Sequence, residues 1–342
     1  MTITTGAPAG SALGTRDDHA DAIGTAIRAA AAYYGSGDSP LDDASFDLLV
    51  SLIQAYEDRY PQQIAPATPT GEVAHTAAML SPANAFGPQD LLDWEASVVR
   101  RLGAPVRGGF VVEPKLDGAS LAARYRNGRL VQLVTRDNGT SGADVSHAIG
   151  TIVGLPERLA SDVSFEVRGE ALLTTAQFAR ANEIRAAHGA GAFSNARNGA
   201  AGTLRAKGRP YTVEMTFWAF GAVELDGPER TDGPAVLPGS THAEVMAFVA
   251  AAGVQTAAAT LAGLTVVATV AEVQEHVDRI AALRARLPFG IDGVVVKLDS
   301  LAEQAAAGTG SRHPHGATAH KLTVPGRFLS AFHPSAASMP SP

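Results

Sequence analysis

The Asn127-Gly128 pair is the tightest constraint on how this chain folds. It separates two strand-like runs, Ala119–Arg126 and Arg129–Thr135, and a type I′ turn needs φ > 0 at both central positions, which this pair tolerates. With these two residues as the turn, opposed positions sum to 255, so Arg136 falls opposite Ala119, beside Asp117 and Gly118. Arginine suits bidentate phosphate contact. The DNGTSG that follows supplies small residues for a loop with exposed N–H groups.

Immediately before the hairpin, residues 110–120 read FVVEPKLDGAS, an apolar run broken by Pro114, Lys115, Leu116, Asp117 and Gly118. Lysine is rarely buried, and a desolvated amine is a nucleophile. Taken alone, Lys-x-Asp-Gly fits a surface turn better than a covalent lysine, since so short a motif is common in turns. The rest of the chain decides between them.

The 342 residues suffice for two domains, and 46% hydrophobic content is ample for a core. With no cysteine there is no disulfide framework, no thiolate zinc site and no thiol chemistry. A basic n-region with an apolar h-region is lacking at the start, and no stretch approaches the ~20 apolar residues that span a bilayer. A cytoplasmic protein without membrane partners is therefore expected. A net charge of −7 repels a phosphate backbone, so weak or no DNA binding by the chain alone is expected.

In chain order, residues 1–25 are small, polar and aperiodic, and read as disordered. A helical pattern over 26–34 and a second one after Asp43, with Phe46, Leu49, Val50 and Ile53 at helical spacing, predict a small helical subdomain over 26–70. Its last part, from Pro61, is extended and proline-rich. A helix follows over 89–101, and a Gly/Pro-rich break at 103–109 marks a boundary before the lysine strand. Strands are expected at 163–172, 215–225 and 264–268. The first of these places Glu166, Arg168 and Glu170 on one face. Helices are expected from Thr174 or Thr175 to Ala187, over 243–252, and over 270–286 behind the capping box Thr269-x-x-Glu272. The segment FSNARNGAAGTLRAKGR reads as a basic loop, either solvated or facing phosphate. A last strand is expected over 290–299, on whose end Lys297 fits an exposed edge position. Arg312, His313, His315, His320 and Lys321 crowd the sequence after it, with a spacing that suits a phosphate-contacting tail better than a metal site. Residues 325–342 read as a disordered tail.

The ordered motifs EPKLDG, TRDNGTSGADV, FEVRGE, NARNGAAGTLR, IDGVVVKLD and HKL resemble the nucleotidyltransferase core of bacterial NAD-dependent DNA ligases. Upstream, YYGSGDSPLDDASFD, TPT and MLSPANAF resemble that family's NMN-recognition subdomain and the start of its core. The resemblance covers about residues 26–324. It implies an α+β fold: an ATP-grasp-like core of antiparallel sheets with flanking helices over 71–324, preceded by the helical subdomain.

It also implies chemistry. Lys115 would attack the adenylyl phosphorus of NAD, forming lysyl-AMP and expelling NMN, with Asp117 orienting it. Glu113 would contact adenine, Arg136 and Glu170 the ribose end, and Lys297 and Lys321 the base and phosphate. Asp292, with Glu170, would hold magnesium. Tyr33, Asp43, Phe46 and Asp47 would grip NMN, while Ser81 and Pro82 would border the nucleotide. Arg197 and Arg205 match the family's basic loop, and Arg284 a further arginine. The family continues into an OB-fold, a zinc module, helix-hairpin-helix repeats and a BRCT domain, which this sequence does not show. Departures include Ala196 for proline, Pro82-Ala83 for Leu-Asp, and Gly316, His320 and Leu322 for aromatics. The AMP acceptor stays open between a DNA 5′-phosphate presented with a partner protein, a small molecule, and water, the last giving net cleavage of NAD. A non-catalytic NAD-binding homologue is the further alternative.

Overall fold

The structure, a computed structural model, describes residues 13–35, scattered positions between 41 and 60, and 73–225, 237–310 and 313–322. Helix α1 (Arg16–Gly35) opens it, which corrects the expectation of disorder through residue 25. Thr15 Oγ1 accepts from the Asp18 N–H at 3.1 Å and Asp18 Oδ2 from the Thr15 N–H at 3.0 Å, so a cap hides among polar residues. Asp43, Phe46 and Asp47, and the side chain of Tyr33, lie outside the described residues, as do Arg312 and the tail from 323.

The remaining elements follow in order. First come β1 (Val73–Ala74), β2 (Ala83–Ala85), α2 (Pro88–Leu102), β3 (Phe110–Leu116), β4 (Ala119–Arg126), β5 (Arg129–Thr135), β6 (Ser141–Gly142) and β7 (Ile152–Val153). Then come β8 (Phe165–Leu172), α3 (Thr175–Ala187), α4 (Ala196–Arg205), β9 (Met215–Glu224), α5 (His242–Ala251) and β10 (Thr265–Val267). The series ends with α6 (Val270–Leu283), β11 (Ile291–Leu298), α7 (Leu301–Ala307) and β12 (Ala317–Lys321). Two five-stranded sheets result, ordered β10-β3-β11-β12-β2 and β5-β4-β8-β9-β7, together with a β1-β6 ribbon. The fold is α+β as expected. The sheets are mixed rather than purely antiparallel, because the short β2 and β7 add in parallel to β12 and β9.

One face of the first sheet is apolar. Phe110, Val112 and Leu116 of β3 with Val294, Val296 and Leu298 of β11 pack on Leu91 and Val98 of α2 and on Val273, Val277 and Ile280 of α6. Each fully buried Val, Leu or Phe contributes ~1.5–3 kcal/mol. Because α2 shares this core with β3, the 103–109 segment is a connection within one body, not a domain boundary. In the second sheet Leu121, Tyr125, Leu133, Phe165, Val167 and Phe217 pack on Val245, Met246 and Val249 of α5 and on Leu204 of α4.

Three local expectations need correction. The basic segment read as a loop is helix α4: Asn195 Oδ1 caps it through the Asn198 N–H at 2.8 Å, and its small residues let it lie close on the sheet. A Cβ at Gly199 would sit 2.7 Å from Leu173 Cδ1. Glycine and alanine that weaken the helical pattern in sequence are what this packing requires. Lys297 is not at an edge, since β11 lies between β3 and β12.

The hairpin is the third. Asn127 and Gly128 have φ of 48° and 71°, as the turn demands, and Arg126 pairs with Arg129 and Tyr125 with Leu130. A bulge at Val131 then shifts the ladder so that Arg124 pairs with Gln132 and Leu121 with Thr135. The Arg136 N–H donates to the Ser120 carbonyl at 3.1 Å, so Arg136 stands opposite Ser120 rather than Ala119. A slip of one residue moves a side chain to the other face.

Candidate active site

Strand alternation places Glu113 and Lys115 of β3, Gly293, Val295 and Lys297 of β11, and Ala317, Ala319 and Lys321 of β12 on the face away from the helices, as their cross-strand pairing shows. Gly293 and the two alanines leave that surface low, so the long side chains converge above it. Asp292 is the extra residue where the β11–β3 register shifts between Ile291 and Gly293. A bulge re-aims a side chain, and here it turns a carboxylate onto the lysines. Asp292 Oδ2 accepts from Lys115 Nζ at 3.1 Å and from Lys321 Nζ at 3.4 Å. Burial pushes the Asp292 carboxyl up, but Lys115 and then Lys321 draw it net below the usual carboxylate range.

Asp117 does not hold the amine. Its Oδ1 accepts from Arg197 Nη1 at 2.8 Å and its N–H donates to the Gly290 carbonyl at 3.1 Å, so the carboxylate in contact with Lys115 is that of Asp292. Gly118 is obligatory here, since a Cβ would lie 2.5 Å from the Ala171 carbonyl oxygen.

The second sheet supplies the opposite wall. Ser120 hydroxyl donates to Glu170 Oε1. Burial raises the Glu170 carboxyl, opposed by the charge of Arg197, the Ser120 hydrogen bond and the charges of Arg136 and Lys115. The bulge at Val131 is what brings Arg136 to this face. Its Nη1 donates to Ser81 Oγ at 2.6 Å, and the Ser81 carbonyl accepts from His313 Nδ1 at 2.6 Å. Pro82 follows Ser81, partly buried. Arg205 lies at the half-exposed end of α4 on Asp137, at 3.2 Å.

Lys297 joins the two sheets. Its Nζ lies 2.5 Å from Glu113 Oε1 on the first and 2.7 Å from the Phe220 carbonyl on the second. Burial, more than Lys297 offsets, raises the Glu113 carboxyl. His320 points the other way, into the core, 7% exposed, and burial holds its imidazole below the ordinary value. The expected phosphate-contacting tail is therefore the ordered strand β12 for its described part, and only Lys321 of the two joins the cluster. Arg284 lines a separate cleft of about 280 Å³ with His320, Lys321 and Asp278.

Sequence reasoning missed Ser120, His242, Asp137 and the buried ion group of Arg124, Glu166 and Arg168. It had singled out the Glu166–Arg168–Glu170 face without seeing that Glu166 is wholly enclosed. A motif lysine followed three residues on by Gly-Ala-Ser was the available signal for Ser120.

Lys115 and Lys321 thus share Asp292, Lys297 holds Glu113, Arg197 holds Asp117 and Ser120 holds Glu170. The family model of the NAD-dependent DNA ligase adenylation domain matches residues 68–324. The chain belongs to that family. An adenylation-domain relative, DNA ligase 2 of Streptomyces coelicolor, is 50% identical over 317 residues, which cover 89% of this chain and 44% of that protein. DNA ligase of Desulforudis audaxviator is 34% identical over 305 residues, covering 84% and 43%. The chain spans less than half the length of these relatives. Among solved structures, the ligase domain of M. tuberculosis LigD overlaps loosely, with 17% identity and a TM-score of 0.35 over 71% of this chain and 60% of that one. No helix among the described residues is long and apolar enough to cross a membrane.

The adenylation-domain cleft depends on its glycine floor. A Cβ at Gly293 would sit 2.5 Å from the His320 carbonyl oxygen and 3.4 Å from Lys115 Cδ. Gly293→Ala is expected to destabilise the chain by about 1–3 kcal/mol as β12 is pushed from β11. Urea unfolding reads this, and an unchanged midpoint would contradict the close packing.

Proposed function

We propose that this chain carries out the NAD-dependent adenylation step. Lys115 Nζ attacks the adenylyl phosphorus of NAD; an N–P bond forms, the P–O bond to NMN breaks, and NMN leaves. The observation that carries this reading is the Lys115–Asp292–Lys321 group facing Glu170 and Arg136 across the cleft. Asp292 holds the amine in place, and its lowered pKa makes it an anchor more than a proton acceptor. The amine is partly exposed, 24% for its side chain, so its proton passes to solvent. Lys321, Arg136 and Arg197 supply positive charge for the phosphate oxygens.

The residues present fit a divalent cation such as magnesium. Asp292 Oδ1 and Glu170 Oε2 are buried without a partner, and magnesium is commonly held by one or two carboxylates with phosphate and water. Bound there, it would draw charge from the adenylyl phosphate. Glu113 and Lys297 serve the adenine, and Ser81 and Pro82 border the nucleotide. Tyr33, Asp43, Phe46 and Asp47 of the 26–70 subdomain are assigned to NMN on motif resemblance, with 71–324 as the adenylation domain.

AMP then passes to a DNA 5′-phosphate, in keeping with relatives named DNA ligases. A small molecule or water as acceptor is the second reading, favoured by the −7 charge. Incubation with NAD and magnesium should add one adenylyl group and release one NMN per chain, read by intact mass and chromatography. Absence of both would sink the proposal, and sealing of nicked DNA separates the two acceptors.

A further inference from the structure

Three acceptors surround the Lys297 ammonium: Glu113 Oε1 at 2.5 Å, the Phe220 carbonyl at 2.7 Å and His242 Nε2 at 3.2 Å. An ammonium has three N–H donors and no lone pair. Each partner therefore accepts one N–H, and His242 Nε2 presents its lone pair to Lys297. The imidazole is neutral with its proton on Nδ1.

Everything around the ring favours that state. His242 is 7% exposed and is the first residue of α5, at the positive end of the helix. Burial first, and then the Lys297 charge, hold it well below the ordinary imidazole value. Its position is fixed from below: the His242 N–H donates to the Asp299 carbonyl at 2.7 Å, and the Ala243 N–H to Asp299 Oδ1 at 2.9 Å. Asp299 lies two residues past Lys297, so the end of β11 and the residue after it carry both the ammonium and the anchor of the ring that accepts its hydrogen bond. The charged groups on this cluster are Lys297 from β11, Asp299 just after that strand, and Glu113 from β3. Glu113 Oε2, the oxygen not used by Lys297, is buried without a partner, on the strand face that carries Lys115.

We propose that His242 is a positioning residue for recognition of a 6-aminopurine. By accepting one hydrogen bond from Lys297 it fixes the ammonium on Glu113 Oε1, which leaves Oε2 to accept from an exocyclic amine. This rests on the adenylation reading of the cleft and deepens it: discrimination of adenine from hypoxanthine depends on a histidine that touches neither.

The test uses the whole chain, with His242→Leu, which has no acceptor, and His242→Gln, whose side-chain carbonyl can accept. Lysyl-AMP formation is measured with NAD and with nicotinamide hypoxanthine dinucleotide. His242→Leu should raise KM for NAD about tenfold to a hundredfold, the range for a lost hydrogen bond to a charged group. Its kcat should stay within about threefold of wild type, because the altered contacts lie at the base end of the nucleotide. Preference for the amino base should shrink, and His242→Gln should recover most of both. An unchanged KM in His242→Leu, or no recovery in His242→Gln, overturns the proposal.

A wild-type chain that forms no lysyl-AMP refutes the adenylation step instead. The ¹⁵N shifts of His242 then decide this inference without any nucleotide. A bare Nε2 and a protonated Nδ1 should persist well below the pH at which a free imidazole charges, with Nε2 moving in Lys297→Met. A ring protonated on Nε2, or charged at pH 6, overturns the assignment.

Discussion

Lys115→Ala is expected to lose lysyl-AMP formation by on the order of 10⁴-fold or more, the scale seen when a covalent nucleophile is removed. No other group can replace it. The chain has no cysteine, and the neighbouring Lys321 is held on Asp292 from the adjacent strand pair. Lys115→Arg should fail equally, because a guanidinium keeps its proton at any working pH and offers no lone pair. The fold should survive both changes. Lys115 is partly exposed, and Asp292 keeps Lys321 as a partner, so melting temperature should barely move. A Lys115→Ala chain that still gains an adenylyl group would move the nucleophile elsewhere.

The largest stability effect is expected at Glu166→Gln. The Glu166 side chain has no exposure and lies between Arg124 Nε at 3.0 Å and Arg168 Nε at 2.9 Å, with the Thr76 hydroxyl donating at 2.9 Å. Both arginines then reach the segment before β2: Arg124 donates to the Ala74 carbonyl, and Arg168 to those of Ala77 and Ala78. Removing the one carboxylate strands two largely buried guanidiniums, a change that costs about 3–5 kcal/mol. Urea unfolding at neutral pH should show it, and a loss under about 1 kcal/mol would contradict the buried-pair argument.

The pH dependence has a defined sign. Burial pushes the Glu166 carboxyl up, but Arg168 and the hydrogen bonds from Arg124, Arg168 and Thr76 carry it net below its ordinary 4.5. Its contribution is therefore present above about pH 4.5 and fades as pH falls through the lower folded-state value. The gap between wild type and Glu166→Gln should close in acid.

What was legible in the sequence is what short-range geometry dictates. Asn127-Gly128 named its turn because few residues accept φ > 0 twice. Thr174 capped α3 and Thr269-x-x-Glu272 opened α6, each through a reciprocal hydrogen-bond pair written three residues apart. The cleft residues were legible through motif order. Strand alternation puts Lys115 and Lys321 on one face, opposite Gly293, while Asp292 reaches them only through the bulge in β11.

What was not legible depends on partners distant in the chain. Lys297 read as exposed because its companions, Glu113 and the Phe220 carbonyl, are 184 and 77 residues away. Helix α4 read as loop because its glycines serve contacts with Leu173 and Phe193 that no local pattern shows. His242 carried no signal beyond a helix start. Asp117 looked like the partner of Lys115 by proximity in sequence. Yet the bulge that turns Asp292 inward gave the amine a nearer carboxylate.

The bulge at Val131 carries a wider consequence. Between the turn and Arg136, β5 holds one residue more than its partner, and this odd count decides on which side of the sheet the guanidinium emerges. The hairpin thus obeys a parity rule. An odd change in the number of residues along that strand turns Arg136 to the other face, away from Ser81 and Glu170. The spacing from Asn127-Gly128 to Arg136 is in effect a count, and the chemistry of the cleft depends on its being odd or even more than on which apolar residues fill it.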